Sequence, residues 1–126
     1  MRFGLANEMS LKMKEMSISH SEPFHFLEFR HGPQTMVSNS TLVIGLVGAA
    51  NAAQEQAVLG DMRALGGAVL SIGESGCDAS LASGLSDAAR APLYVVVGQL
   101  LALEHAVAKG LNPDRPHNLH AVVKLN

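Results

Sequence analysis

Apolar residues at the start of the chain recur at steps of three and four. Leu5, Met9, Met13 and Met16 share one face, while Glu8, Lys12 and Glu15 fall on another, and the spacing predicts a helix over residues 3–16. The next stretch is mixed: Pro23 breaks it, one helical turn fits 24–29, and Gly32-Pro33 ends it. Residues 41–47 (Thr-Leu-Val-Ile-Gly-Leu-Val) form a continuous, β-branched run, the mark of a strand covered on both faces. Asn51 then reads as a helix cap with Gln54 as its capping-box partner. That helix runs to about Leu65 and stops at Gly66-Gly67. A second strand is expected at 68–72, a loop at 73–78 and a weaker third strand at 81–85. Pro92 is expected to open a long helix closed by Gly110, and the tail at 118–125 reads as extended.

This order predicts an α/β protein, a three-layer sandwich with a mainly parallel sheet. No repeat, low-complexity tract or internal boundary divides residues 1–126. The last helix is apolar almost all round and needs cover on several sides. Two convincing strands supply too little sheet for that, so the expectation is a partial domain completed by something else.

Composition narrows the partners. Hydrophobic residues make up 48% of the chain but aromatics only 4%, with no Trp, so the core is built from Ala, Val, Leu, Ile and Met. The net charge of −2 comes from scattered charges of both signs. With no basic stripe to collect phosphates, nucleic acid is not an expected partner. The lone Cys77 leaves no internal disulfide and fits a reducing compartment. The first residues lack the apolar stretch of a secretory signal. Residues 91–108 are interrupted by Gln99, Glu104 and His105 and fall short of the roughly 20 apolar residues that a membrane span needs. The expected location is the cytoplasm, with no membrane partner.

Two clusters carry candidate chemistry. On a helix, Glu8, Lys12 and Glu15 are neighbours at steps of four and three, a pattern that a solvated charged face also produces. The second cluster packs His20, Glu22, His25, Glu28, Arg30 and His31 into one Pro-punctuated stretch, and loops on a rigid layer are where chemistry tends to sit. No HExxH or CxxC spacing is present, so no metal is expected there. The turn Gly48-Ala-Ala-Asn51 could hold an anion on backbone N–H groups, but an ordinary capped helix is the plainer reading.

Several segments together carry a resemblance. They are Leu5-Ala-Asn-Glu8-x-x-Leu-Lys12-x-Lys-Glu15, Ser19-His20-x-Glu22, Glu28-Phe-Arg30-His31-Gly32-Pro33, and Gly110-x-Asn112-Pro-Asp114-x-Pro116-x-Asn118-Leu119. In this order they resemble the C-terminal lobe of SIS (sugar isomerase) domain proteins, a family of aminosugar-phosphate synthases, isomerases, deaminases and deglycases. The resemblance implies a flavodoxin-type sheet lacking its first strand, with residues 111–126 as a tail near the site. It implies a sugar phosphate ligand, no cofactor and no metal. Glu15 would be the base that moves a proton between neighbouring sugar carbons, and His31 would help open the ring, reaching the site across a subunit interface. Glu8, Lys12, His20, Glu22, Arg30 and Asn118 would bind substrate or support those two. A homodimer or a first SIS lobe would complete the domain. The resemblance is incomplete at two points. Family members that form an imine carry a Lys after the Asn-Leu of the tail, where this chain has Ala121. The Ser/Thr-rich phosphate loop of the first lobe has no counterpart here. The alternative to an isomerase or deaminase is a non-catalytic sugar-phosphate-binding regulatory module.

Overall fold

The computed structural model describes residues 1–116. Helix α1 spans Arg2–Ser17 and the short helix α2 spans Phe26–Arg30, followed by a 3-10 turn at Pro33–Met36. Strand β1 is Leu42–Leu46, helix α3 is Ala52–Ala64, β2 is Ala68–Gly73, β3 is Ala79–Ser80, and helix α4 is Asp87–Ala108. The strands lie in the order β1-β2-β3, all parallel. Leu42 pairs with Ala68 at one end of the first ladder and Leu46 with Ile72 at the other.

Period-two alternation in the strands sorts side chains onto two helical layers. Ile44, Leu46, Leu70 and Ile72 meet Met9 of α1 and Tyr94 of α4, with Leu5, Ala6 and Val97 packed around them. On the opposite face Gly45 lies beneath Leu59 of α3, so close that a Cβ would stand 2.5 Å from its Cδ1. Val58, Leu59 and Met62 form the buried stripe of α3. The α/β class and the helix-covered parallel sheet expected from the sequence are therefore present.

Four details differ from expectation. β1 is not covered along its whole length: Leu42 is exposed, and burial is complete only at Gly45 and Leu46. Asn51 precedes α3 but makes no side-chain cap bond, so the capping box with Gln54 does not form. Instead the Glu55 carboxylate reaches back and accepts the Gly48 N–H at 2.8 Å. The third strand lies at Ala79–Ser80 rather than 81–85. Ala82 turns the chain with φ 43°, and Glu74 draws the next amides away from the sheet, accepting Ser83 N–H at 3.2 Å and Gly84 N–H at 2.6 Å. Finally, α4 starts five residues before Pro92, because Ser86 caps it by accepting the Ala89 N–H. Pro92 sits inside the helix on its exposed side, where the Ala88 carbonyl that loses its intrahelical donor can turn to water.

The earlier start makes α4 22 residues long, enough by length and composition to cross a membrane. One stripe of it, Tyr94, Gly98, Ala102 and Ala106, is buried. Gly98 lets α1 approach closely: a Cβ there would stand 2.5 Å from Met9 Cγ.

Candidate functional site

The first helix brings Glu8, Lys12 and Glu15 together. Lys12 Nζ donates to Glu15 Oε2 at 3.0 Å and stands 3.6 Å from Glu8 Oε1. The two carboxylates thus flank one ammonium on a half-exposed face. The Lys12 ammonium is held above its ordinary range, foremost by the hydrogen bond to Glu15; partial burial opposes this and the charges of Glu15 and Glu8 add to it.

Beside this triad the segment 18–24 runs along α1, pinned where Ser10 Oγ donates to the Ser21 carbonyl at 2.8 Å. Between them lies an open hollow of about 370 Å³, bordered by Gly4, Asn7, Glu8, Leu11, Lys14 and Pro23 among others. Glu8 therefore belongs both to the ion-paired triad and to the hollow's wall. Farther on, His20 Nε2 stands 3.4 Å from Glu22 Oε1, both side chains in solvent. His25 stacks on Phe3, ring centroids 4.5 Å apart, tying this segment to the start of α1.

Two expected site residues stand elsewhere. Arg30 ends α2 and pairs with Asp61 of α3 at 2.9 Å, both side chains nearly half exposed. His31 is exposed, and its backbone N–H closes α2 by bonding the Leu27 and Glu28 carbonyls. Among the described residues no hydrogen bond or ion pair joins His31 to Glu15, and no three His, Cys, Asp or Glu side chains are grouped to hold a metal ion. Asn118 and the tail at 118–125 lie outside the described residues.

The turn before α3, considered above as an anion cradle, is filled by the protein itself. Glu55, buried, accepts from Gly48 N–H and from Arg2, whose Nη1 stands 2.7 Å from Glu55 Oε2 and also donates to the Leu46 carbonyl at 2.8 Å. The internal carboxylate supplies the negative charge that a bound anion would bring to this helix start. The Glu55 bond is the foremost cause holding the Arg2 guanidinium above its ordinary range, against partial burial. Tyr94 adds its hydroxyl to the same end of β1, donating to the Val47 carbonyl at 3.1 Å.

Spacing along the sequence missed the groups that fix the triad-bearing helix at its two ends. Arg2 anchors the N-terminus of α1 to β1 and α3. At the C-terminus Lys109 Nζ donates to the Ser17 carbonyl at 2.6 Å. These contacts join residues 44 to 92 positions apart, so no local pattern carries them.

No protein-family model matches the chain. Curated relatives do. The glutamine–fructose-6-phosphate aminotransferase of Leifsonia xyli is 32% identical over 131 residues, taking in 93% of this chain and 21% of that protein. The enzyme of the same name from Pyrococcus horikoshii is 32% identical over 124 residues, with 90% and 20% covered. Among solved structures, glucosamine-6-phosphate deaminase from Thermotoga maritima superposes with a TM-score of 0.88 at 35% identity, over 98% of this chain and 37% of that one. The tagatose-6-phosphate ketose/aldose isomerase of Escherichia coli gives 0.72 at 25% identity, over 88% and 34%. The chain thus spans about a fifth of the length of the curated relatives it matches. Sequence likeness over nearly the whole chain and the shared helix-covered parallel sheet lead to one conclusion: this chain belongs to the SIS (sugar isomerase) domain family.

Proposed function

We propose that this chain is the proton-transferring part of a phosphosugar isomerase or aminosugar-phosphate deaminase, with Glu15 as the base. The observation that carries the reading is the Lys12 bridge between Glu8 and Glu15. An ammonium so placed holds the Glu15 carboxylate at a fixed position on a rigid helix. Interconverting a ketose and an aldose needs a base of this kind. The carboxylate takes a proton from the carbon beside the carbonyl and leaves an enediolate that holds the electron pair; the carboxyl, in exchange with solvent, then gives a proton to the neighbouring carbon while the hydroxyl proton passes from one oxygen to the other. A positioned carboxylate supplies about 10²–10⁴ in rate. Ring opening needs a second group that moves the hydroxyl proton, and an imidazole titrating near neutral pH suits it. His31 takes that role in this reading, delivered by a second subunit, and its exposure leaves the imidazole accessible to a neighbouring copy. Glu8, His20, Glu22 and Asn118 line or support the sugar. The domain is completed by a second copy or by a first lobe, and the relatives with longer chains are the support for that.

The test is exchange of solvent deuterium into C1 or C2 of fructose 6-phosphate and glucosamine 6-phosphate. Wild-type protein is expected to label the sugar, and Glu15→Gln to label it about 10²–10⁴ times more slowly while still binding it. Equal, slow labelling by both proteins, with binding intact, rejects the enzyme and leaves a sugar-phosphate-binding module.

A further inference from the structure

The turn that ends α1 is held in a disfavoured backbone conformation by a side chain from the far end of the fold. Ile18 has φ 49° and ψ 47°, in the left-handed region, where a β-branched side chain crowds its own backbone. Glycine or asparagine is the usual choice at this place after a helix. Strain of this kind persists where the surroundings over-determine it, and it gathers at functional sites.

The surroundings are specific. Lys109, just beyond α4, spreads its ammonium over the turn, donating to the Ser17 carbonyl at 2.6 Å, the Ile18 carbonyl at 3.2 Å and Ser19 Oγ at 3.2 Å. All three N–H donors of the ammonium are used, and the cation faces the negative end of the α1 dipole. From the helix side, Met13 O receives the Ser19 N–H at 3.2 Å and Ser17 Oγ at 2.6 Å. The turn comes three residues after Glu15 and two before His20. Its conformation sets the direction in which the chain leaves the proposed base and runs back along α1 to the His20–Glu22 pair.

We propose that Lys109 is a positioning residue of the sugar site: it keeps Ile18 left-handed and so fixes Glu15 relative to His20 and Glu22. The inference rests on the isomerase reading above. Glycine adopts this backbone conformation unaided, and that provides the test. Lys109→Met keeps the stem and removes the ammonium; Ile18→Gly removes the strain that the ammonium offsets. In the full-length protein two quantities are followed, amide hydrogen exchange at Ser19 and deuterium incorporation into fructose 6-phosphate. Lys109→Met is expected to speed Ser19 exchange about tenfold. It should also lower the labelling kcat about tenfold with KM unchanged, because small misplacements of a reacting group are costly. The double variant Lys109→Met/Ile18→Gly is expected to recover both. Unchanged Ser19 protection in Lys109→Met, undiminished labelling, or a double variant as slow as Lys109→Met overturns the inference while leaving the isomerase reading in place. A wild-type protein that labels no sugar overturns both.

Discussion

Glu55 and Asp78 take no part in the proposed chemistry, yet each satisfies several donors at once. Glu55 receives Arg2 and the Gly48 N–H from a buried position. Truncating it leaves a buried amide and a guanidinium without their partner. Breaking a buried pair costs about 3–5 kcal/mol, and the partial exposure of Arg2 brings the expectation for Glu55→Ala to about 2–3 kcal/mol. A urea titration reads this as a lowered midpoint, and Glu55→Gln, which still accepts from Gly48, should lose about half as much. Asp78 accepts from Ser71 N–H at 2.8 Å, Ser71 Oγ at 2.7 Å and Arg63 at 2.8 Å. The Ser71 backbone bond, then the Ser71 hydroxyl, holds its carboxyl below the ordinary 3.8. Its charged form is therefore favoured by folding. That stability is complete above the unfolded value and disappears as pH falls through the lower folded one. The stability gap between wild type and Asp78→Asn is thus expected to be constant from about pH 6 to 8 and to shrink below about pH 4, as measured by urea melts across that range.

At the scale of elements, what was legible depended on whether a local pattern alone decided the structure. The β-branched run of β1 and the short run of β2 could only be strands, and the steps of three and four in α1 put Glu8, Lys12 and Glu15 side by side as observed. Failures came where a tertiary partner overrode a local signal. Asn51 and Gln54 have the right spacing for a capping box, but Glu55 had already taken the Gly48 amide. Residues 81–85 alternate like a strand, but Glu74, gripped by the buried Arg90, claims their amides. Pro92 resembles a helix opener, yet Ser86 upstream starts the helix. For the site, the triad was readable while its two anchors, Arg2 and Lys109, were not. The contact between α1 and α4 was equally hidden, because Gly98 shows no periodicity. Its role predicts a coupled result. Gly98→Ala pushes a Cβ toward Met9 Cγ, and overpacking of about 1–3 kcal/mol should outweigh the gain of about 1 kcal/mol in helix propensity. In a Met9→Ala background the same change should stabilise, and the sign reversal is read by thermal denaturation of the four proteins.

At the scale of the whole molecule, the described residues leave apolar surface that they do not themselves cover. Leu93, Val96, Leu100 and Val107 form one exposed stripe along α4, on the side away from the buried Tyr94, Ala102 and Ala106. Among the described residues β1 pairs only with β2. A contiguous apolar stripe rimmed by polar residues marks a contact surface. Relatives that match this chain carry several times its length, so in them more protein is available as cover. For this chain by itself in solution, the expected outcome is that two copies associate through the stripe. Val96→Lys/Leu100→Lys places two like charges in the middle of that seam. Both positions are about half exposed, so the substitution should change the stability of the fold by only about 0.5 kcal/mol. The expectation is that the wild-type chain sediments as a dimer or larger and the double-lysine variant as a monomer with the same helical circular dichroism. Equal sedimentation of the two would move the seam elsewhere, with the outer edge of β1 as the next surface to block, by a proline at Leu42, whose N–H faces away from β2.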